Sequence, residues 1–329
     1  MALPKYKSFL GIAKEASRSA GTAPTPVAAT DFIPVKNITP FDNVMYLDDE
    51  NWRGSMAKTY NTVQGPIFSE FEFGGDVFPD TIGYPLAGVL GDVAFTGGTP
   101  NTFAISTLNS GTGQATSYTL TDFYGRTDSN PARQYAGCQF GDVNFKFNAD
   151  GLMEYTAMAN GYASAVASLP TPSFSTVTNV PVWTGVTTLG GSVVARLVEG
   201  SVDIKRDLTP IHTVDGSQSP YQIWQGAVTC EGSLLLVLED DTDLTRYLSN
   251  TQPSLNINFS QGAGASQTAI AFNMTKCAFT VAKIERSKDY VELSVNYKGI
   301  ANTTDAGASG GYSPVKVTLK NSKATGTYS

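Results

Sequence analysis

The stretch YAGCQFGDVNFKFNADGLMEYTAMANGYA, residues 135–163, decides the fold class. It contains two runs in which apolar and polar residues alternate, with the Asp150-Gly151 pair between them. Alternation is typical of a β-strand with one buried face, and Asp-Gly is typical of a hairpin turn. From residue 32 onward the sequence therefore predicts a mainly β protein. The same style recurs in FSEFEFGG (68–75), SVVARLVEGSVDIKRD (192–207), AVTCEGSLLLVLED (227–240) and CAFTVAKIERSKDYVELSVNYKG (277–299).

Helical patterns are few. Residues 5–17 carry apolar side chains on roughly one face and are followed by Gly21, which predicts a short N-terminal helix. Residues 79–90 and 240–248 are the best further candidates, and in the second of these Asp residues stand where they cap a helix N-terminus. We therefore expect at most three short helices beside the strands.

The chain contains an internal repeat, because residues 135–163 align with residues 274–301. Upstream of each segment lies a Gln-Gly pair that opens a strand, and a short helical pattern follows that strand. The repeat predicts an N-terminal arm (1–32), a first β domain (33–172), a linker (173–181), a second β domain (182–320) and a C-terminal tail (321–329). The aligned pairs are Gln64 with Gln225, Glu70 with Glu231, Cys138 with Cys277, Phe140 with Phe279, Glu154 with Glu292 and Gly161 with Gly299.

Charge is scarce in this sequence. Lys, Arg, Asp and Glu make up 16% of the 329 residues, against a typical 25% or so, while hydrophobic residues reach 41%. This composition excludes disorder and predicts that much of the surface is covered by other subunits. The net charge of −7 excludes general nucleic-acid binding by the whole surface.

The cysteines and the apolar runs limit the compartment and the ligands. Cys138, Cys230 and Cys277 are an odd number without CxxC spacing, so we expect buried thiols in a reducing compartment and no zinc site. No apolar run is long enough for a secretory signal or a membrane span, which predicts no membrane partner.

No catalytic motif is present. His212 is the only histidine and lies among turn-forming residues, without a nucleophile motif that uses it. The acidic stretches at 48–50 and 239–243 do not have the spacing of an EF-hand, and the glycine-rich stretches lack the context of a phosphate loop. We therefore expect no enzyme, no metal and no cofactor.

In each half, a charged and turn-rich loop precedes the Gln-Gly strand. Such a recurring loop on a β scaffold favours a binding role. The first loop contains the motif Trp52-Arg53-Gly54-Ser55, and it is followed by the strand VQG (63–65), by FEFGGDVFPDTIGYPLAGVLG (71–91) and by the hairpin QFGDVNFKFNADGLMEYTAMANG (139–161). In the order and texture of these motifs, residues 30–310 resemble the tail tube (major tail) proteins of long-tailed bacteriophages.

The resemblance implies a fold and a role. Members of that family have an antiparallel β-sandwich with a flanking helix and a projecting hairpin. Their inner sheets join between subunits into a β-barrel tube, and the rings stack through loops and arms. The tape-measure protein and the DNA pass through the lumen, and tail terminator and tail tip proteins bind the ends of the tube.

Carried over to this chain, the resemblance implies inter-subunit or inter-ring contacts in both loops and in the N-terminal arm. Two tube-like domains per chain imply the two-domain type of the family, with three chains per ring and pseudo-sixfold symmetry, or six chains if the second half decorates the tube. The implied contact residues are Asp48, Asp49, Glu50, Trp52, Arg53, Lys58, Arg206, His212, Asp215 and Tyr221 in the loops, and Tyr6, Phe9, Leu10 and Ile12 in the arm.

The sequence thus favours a structural virion protein that self-assembles in the host cytoplasm and forms an acidic conduit for genome ejection. An acidic lumen repels DNA and lets it slide without specific binding. Three alternatives stay open. They are another β-rich virion component such as a capsid decoration or minor tail protein, a carbohydrate-binding adhesin-like module, and an enzyme that uses His212 or the acidic stretches.

Overall fold

The computed structural model describes residues 3–16 and 20–328. In the first half the elements are β1 (Phe9–Lys14), β2 (Asp31–Ile33), β3 (Asn37–Asp49), β4 (Asn61–Asp76), α1 (Gly83–Leu90), β5 (Gly91–Thr96), β6 (Asn101–Thr107), β7 (Tyr118–Phe123), β8 (Ala132–Asn148), β9 (Glu154–Gly161) and β10 (Ala165–Ala167).

In the second half they are β11 (Gly185–Leu189), β12 (Ser192–Val193), β13 (Leu197–Ile211), β14 (Gln222–Val237), α2 (Thr242–Leu248), β15 (Leu255–Gln261), β16 (Thr268–Met274), β17 (Cys277–Glu285), β18 (Glu292–Gly299) and β19 (Lys316–Asn321). Single 3-10 turns lie at Lys5–Lys7, Val182–Thr184 and Gly264–Ser266. The mainly β, antiparallel prediction is confirmed.

Eight of the strands form one uninterrupted antiparallel run in the order β3-β4-β9-β8-β13-β14-β18-β17, which we call the tandem sheet. The N-terminal part of β8 leaves this run and pairs with β7, which continues into β1 and β2. A second sheet, in the order β12-β11-β15-β16-β19-β6-β5, covers one face of the tandem sheet. Aromatic pairs such as Phe145–Phe272 and Phe147–Phe259 join the two layers.

The internal repeat is present in the strand registers. In both halves four strands follow the same order, and the two halves lie side by side in the tandem sheet. The first hairpin has its bulge between Val44 and Tyr46, and the second hairpin has it between Arg206 and Leu208. Phe140 in β8 and Phe279 in β17 are likewise each followed by a bulge.

The two halves are also joined to each other. Strand β8 of the first half pairs with β13 of the second, and β6 of the first pairs with β19 of the second. The C-terminal segment returns to the first half, where the buried ring of Tyr328 packs on Tyr84 and Phe103. The predicted division at residues 172 and 182 therefore remains a prediction about independent units.

The N-terminal helix prediction is wrong. Residues 5–7 form a 3-10 turn, and residues 9–14 form strand β1 between β2 and β7; Ser17 lies outside the described residues. Strand β1 is buried on both faces, so its apolar residues do not alternate and their spacing imitates a short helix. Glu15 follows the strand and is itself buried, and its carboxylate accepts hydrogen bonds from Thr119 Oγ1 and the Gly137 N–H at 2.7 Å.

The two other helix predictions are confirmed with later starts. Helix α1 begins at Gly83 rather than at Pro79, and α2 begins at Thr242 rather than at Asp240. The Asp240 carboxylate accepts a hydrogen bond from the Thr242 N–H at 2.8 Å. Hydrogen bonding by the Thr242 side chain and by this N–H lowers the pKa of Asp240. The three cysteines are buried and free, and burial raises the pKa of Cys277 to about 12.

Candidate functional site

The tandem sheet ends in two unpaired edges. Among the described residues, no strand pairs with the outer side of β3 at one end or of β17 at the other. Inside the chain, the two halves meet at the β8–β13 pair, where Asn148 lies opposite Glu199 and Asp142 opposite Lys205. By the repeat, β17 corresponds to β8 and β3 corresponds to β13. The two free edges are therefore the counterparts of the two strands that meet in the middle.

The face of the tandem sheet that points away from the second sheet is polar, and we call it the open face. Its side chains alternate with the core side chains; along β8, for example, Val143 and Phe145 are buried while Asn144 and Lys146 are not. Along the paired stretches of these strands, and at Lys36 just before β3, exposed or half-buried carboxylates outnumber lysines on this face. The carboxylates are Glu70, Glu72, Asp76, Asp142, Glu154, Glu199, Asp203, Glu231 and Glu285, and the lysines are Lys36, Lys146, Lys205, Lys283 and Lys298.

These charges give the open face an excess of four negative charges, out of −7 for the whole chain. Ion pairs neutralise only part of the face, for example Lys36 with Asp76 at 2.6 Å and Lys298 with Glu231 at 3.2 Å. Desolvation by burial is the main reason that the pKa of Asp203 is raised.

The loops 50–60 and 212–221 lie at the same end of the tandem sheet, which we call the hairpin end. The antiparallel register places the β8–β9 and β17–β18 turns at the opposite end. In the first loop, Asp49 pairs with Arg53, and the guanidinium of Arg53 lies 4.8 Å from the centroid of the Tyr60 ring. A second ion pair joins Lys58 and Glu50 at 3.0 Å.

The tip of the first loop is held by these contacts and is apolar. Trp52 is 99% exposed, and Met56 is fully exposed as well. Asp48 lies at the end of β3 and accepts a hydrogen bond from Thr62 Oγ1 at 2.8 Å. The structure therefore brings the predicted loop residues Asp48, Asp49, Glu50, Trp52, Arg53 and Lys58 together on one projecting hairpin.

The predicted residues of the second loop separate into two groups. Asp215 lies in the exposed turn, where hydrogen bonds from the Ser217 N–H and the Thr213 hydroxyl lower its pKa. His212 and Tyr221 flank this turn and contact the first half of the same chain; the His212 ring lies 6.4 Å from the Phe68 ring, and the Tyr221 carbonyl accepts a bond from the Gly21 N–H at 2.8 Å.

Arg206 differs from the other loop predictions because it points into the core of its own chain. It lies in β13 with only 5% of its surface exposed, and its guanidinium donates to the carbonyls of Val89, Gly113 and Gly226. It connects α1 and the loop after β6 to the tandem sheet. The sequence predicted Arg206 as a loop residue because it directly precedes the turn-rich loop. Its burial depends on the strand register at the bulge between Arg206 and Leu208, which the sequence alone does not show.

The predicted arm residues are also divided. Phe9, Leu10 and Ile12 are buried in β1 by contacts within the chain, whereas Tyr6 is 84% exposed. Sequence reasoning missed the open-face carboxylates and the strand edges. The signal for the carboxylates was the alternation in β8, β9 and β13, which becomes informative only when it is known which face is covered.

Two further features of the described residues concern metal ions and membrane spans. None of the described groups of His, Cys, Asp and Glu could hold a metal ion. No helix within residues 3–16 and 20–328 is long and apolar enough to span a bilayer.

These features define a class of protein, a duplicated antiparallel β-sandwich whose main sheet is polar on one face and unpaired at both edges. The chain belongs to the phage tail tube protein family, whose model matches residues 6–299. It is therefore a structural component of the phage tail, and the resemblance noted from the sequence is confirmed. No curated protein was found to match the chain.

Proposed function

We propose that three chains close into a ring in which β17 of one chain pairs with β3 of the next. The observation that carries this proposal is the β8–β13 junction inside the chain, since its two strands are the repeat counterparts of the two free edges. Closure removes both edges, which otherwise invite aggregation. The second half then lines the tube, because its strands continue the same sheet; this favours three chains over six.

The internal junction also supplies the register of the proposed contact. In the chain, Lys205 lies opposite Asp142, and Asp203 opposite Asn144. Transferred through the repeat, these pairs place Asn43 opposite Val281, and Phe41 opposite Lys283. Phe41 is 55% exposed and Val281 45% exposed in the single chain, so ring closure covers apolar surface as well as edge amides.

The open face becomes the lumen of the tube in this arrangement. Its excess of carboxylates makes the wall repel DNA phosphates, so that the genome and the tape-measure protein pass without specific binding. The walls of successive rings form a continuous acidic conduit for genome ejection. We further propose that the tubes assemble in the host cytoplasm.

The two ends of the tandem sheet differ, so rings stack head to tail and build a filament. We propose that stacking uses the hairpin end together with the exposed Tyr6. The inter-subunit or inter-ring contact residues of this end are Asp48, Asp49, Glu50, Trp52, Arg53, Lys58, His212, Asp215 and Tyr221. Arg206, Phe9, Leu10 and Ile12 support these surfaces from within the chain. The last rings of the tube present the same surfaces to the tail terminator and tail tip proteins.

Disulfide trapping tests ring closure. The variant Asn43→Cys/Val281→Cys is expected to give covalent species of two and three chains under mild oxidation, ending at a closed trimer. The matched control is Asp142→Cys/Lys205→Cys, the equivalent pair inside the chain, which should form the same bond without joining chains. The native cysteines are buried and do not compete. Ladders that continue to six chains would support the hexamer, and an absence of interchain bonds in visible tubes would refute the register.

A further inference from the structure

The second loop is docked on the first half of its own chain. The Ile67 N–H donates to the Gln218 carbonyl at 2.9 Å, and the Gln218 side-chain amide donates to the Gln64 carbonyl at 3.0 Å. The two β4 groups in these bonds, the Ile67 N–H and the Gln64 carbonyl, lie beyond Ser69, where the pairing of β4 with β9 stops. The loop 212–221 thus occupies the strand edge that β9 leaves open.

The equivalent edge in the second half is open in the single chain. Strand β14 pairs with β18 only from Glu231 onward, so its residues 226–229 have β13 on one side alone. The Val237 N–H donates to the Arg196 carbonyl on the β13 side, and the Leu238 N–H donates to the Val291 carbonyl on the β18 side. Because peptide groups alternate along a strand, the Val228 N–H points to the β18 side, and among the described residues it has no backbone partner there.

The first loop is the repeat counterpart of the docked loop. Tyr60 corresponds to Tyr221 at the start of the following strand, and Ala57 corresponds to Gln218. Within its own chain this loop projects from the end of the tandem sheet, with Trp52 and Met56 fully exposed. Suppose that β3 pairs with β17 of a neighbouring chain in the way that β13 pairs with β8. The first loop then lies against the neighbour's β14, just as the second loop lies against β4 of its own chain.

We propose that the loop 50–60 docks in the ring on residues 226–229 of the neighbouring chain, with the Val228 N–H donating to the Ala57 carbonyl. Each ring junction is thereby bonded at two places, along the strand edges and through the loop. This inference rests on the proposed ring closure.

The side chains that differ between the two halves fit this occupant. Ala57 has no side-chain amide that could repeat the hydrogen bond from the Gln218 side chain to the Gln64 carbonyl. The equivalent carbonyl, on Gln225, needs no such donor, since the Gln114 side-chain amide of its own chain donates to it at 2.8 Å.

A second pair of residues that differs between the halves also fits this occupant. In the docked loop, the ring of His212 contacts the ring of Phe68 in β4. Their repeat counterparts are Glu50 in the first loop and Thr229 in β14, and the Thr229 hydroxyl can donate a hydrogen bond to the Glu50 carboxylate. The tips remain outside the contact, because Val214, the counterpart of Trp52, is fully exposed in the docked loop. Trp52 therefore stays available for the next ring.

Hydrogen exchange on the unmodified protein tests the proposal, with assembled tubes compared with the dissociated chain by mass spectrometry. We expect exchange at 226–229 to slow at least ten-fold on assembly, while Ile67 is protected in both states. A variant in which two glycines replace residues 51–58 should lose the protection at 226–229 and keep it at the β3 edge.

The two proposals fail in different ways. Protection of the β3 and β17 edges without protection at 226–229 would overturn loop docking and leave ring closure standing. Protection at neither place would overturn both. Protection at 226–229 that persists in the loop variant would show that another segment occupies this edge and would equally overturn the proposal.

Discussion

Tyr328 shows how a single side chain near the C-terminus holds the two halves together. Its ring is fully buried against Tyr84 and Phe103, its hydroxyl donates to the Asp80 carbonyl at 2.7 Å, and its own carbonyl accepts from Tyr118. The segment that carries it follows β19, the strand that the second half contributes next to β6. Tyr328, in the predicted C-terminal tail, therefore lies in the core of the first half.

We expect Tyr328→Ala to lower the free energy of unfolding by about 3–5 kcal/mol, as for other buried aromatic side chains. Tyr312→Ala is the matched control, since that side chain is 62% exposed and should change stability by less than about 0.5 kcal/mol. Urea unfolding of the dissociated chain measures both. Equal midpoints for the two variants would contradict the role given to Tyr328.

Asp122 makes stability depend on pH. It is buried in β7, and desolvation raises its pKa to about 6, whereas the unfolded chain has the ordinary value of 3.8. The folded state thus binds the proton more tightly, so this group stabilises the fold below about pH 4 and the contribution is lost as the pH rises through 6.

Asp122→Asn removes this dependence. At pH 7 the variant is expected to be more stable than the parent by about 1–3 kcal/mol, and at pH 4 the difference should vanish. Thermal unfolding at the two pH values provides the measurement. A variant that is less stable than the parent at both values would show that the carboxylate has a partner in the folded state.

At the scale of elements, the sequence predicted the strands whose two faces differ. Alternation in 135–163 predicted β8, its turn and β9, and the aligned residues predicted that the same hairpin recurs as β17 and β18. Strand β1 could not be recognised because both of its faces are buried, so the covering of the second face is a tertiary effect. The order of strands within the sheets required long-range pairing that no local pattern encodes.

The same limit applies to the candidate site. The first loop was predicted because its charged residues are consecutive and precede a recognisable strand. The edge at Val228 was not, because the absence of a strand partner on its β18 side, among the described residues, appears only when the lengths of β14 and β18 are compared. Arg206 and His212 are six residues apart, yet one is a core residue and the other lies at the edge of a loop.

Strand β3 contains a proline that limits pairing at its outer edge. The Ile67 N–H points away from β3, and by alternation along the paired strands the Pro40 nitrogen points to the outer edge. Proline at this position withholds one donor from any strand that pairs there, which is a common protection of edge strands. The proposed junction therefore has one hydrogen bond fewer than the β8–β13 junction, where Val202 occupies the equivalent place.

We expect Pro40→Val to strengthen edge pairing by about 1 kcal/mol, the net value of one hydrogen bond, and so to lower the critical concentration for assembly about five-fold. Light scattering against protein concentration gives this value. Pro210→Val in β13 is the control and should leave the critical concentration unchanged. A higher critical concentration for Pro40→Val would argue that β3 is not a pairing edge.

At the scale of the whole molecule, the distribution of charge matters more than its amount. The open face carries four of the seven excess negative charges, although it is one of several surfaces. The remaining excess of three negative charges in the chain is spread over its other surfaces.

The charge of the open face, which we propose lines the tube, can be varied separately from the net charge of the protein. Glu70→Lys/Glu231→Lys changes two repeat-related residues of the open face, whereas Asp128→Lys/Glu239→Lys makes the same change in net charge away from it. Because phosphate binding depends on local positive charge and weakens with salt, only the open-face variant should give tubes that retain a short DNA duplex at low salt and release it at high salt. Co-sedimentation with labelled DNA measures retention; equal retention by both variants would mean that the open face is not the wall along which DNA passes.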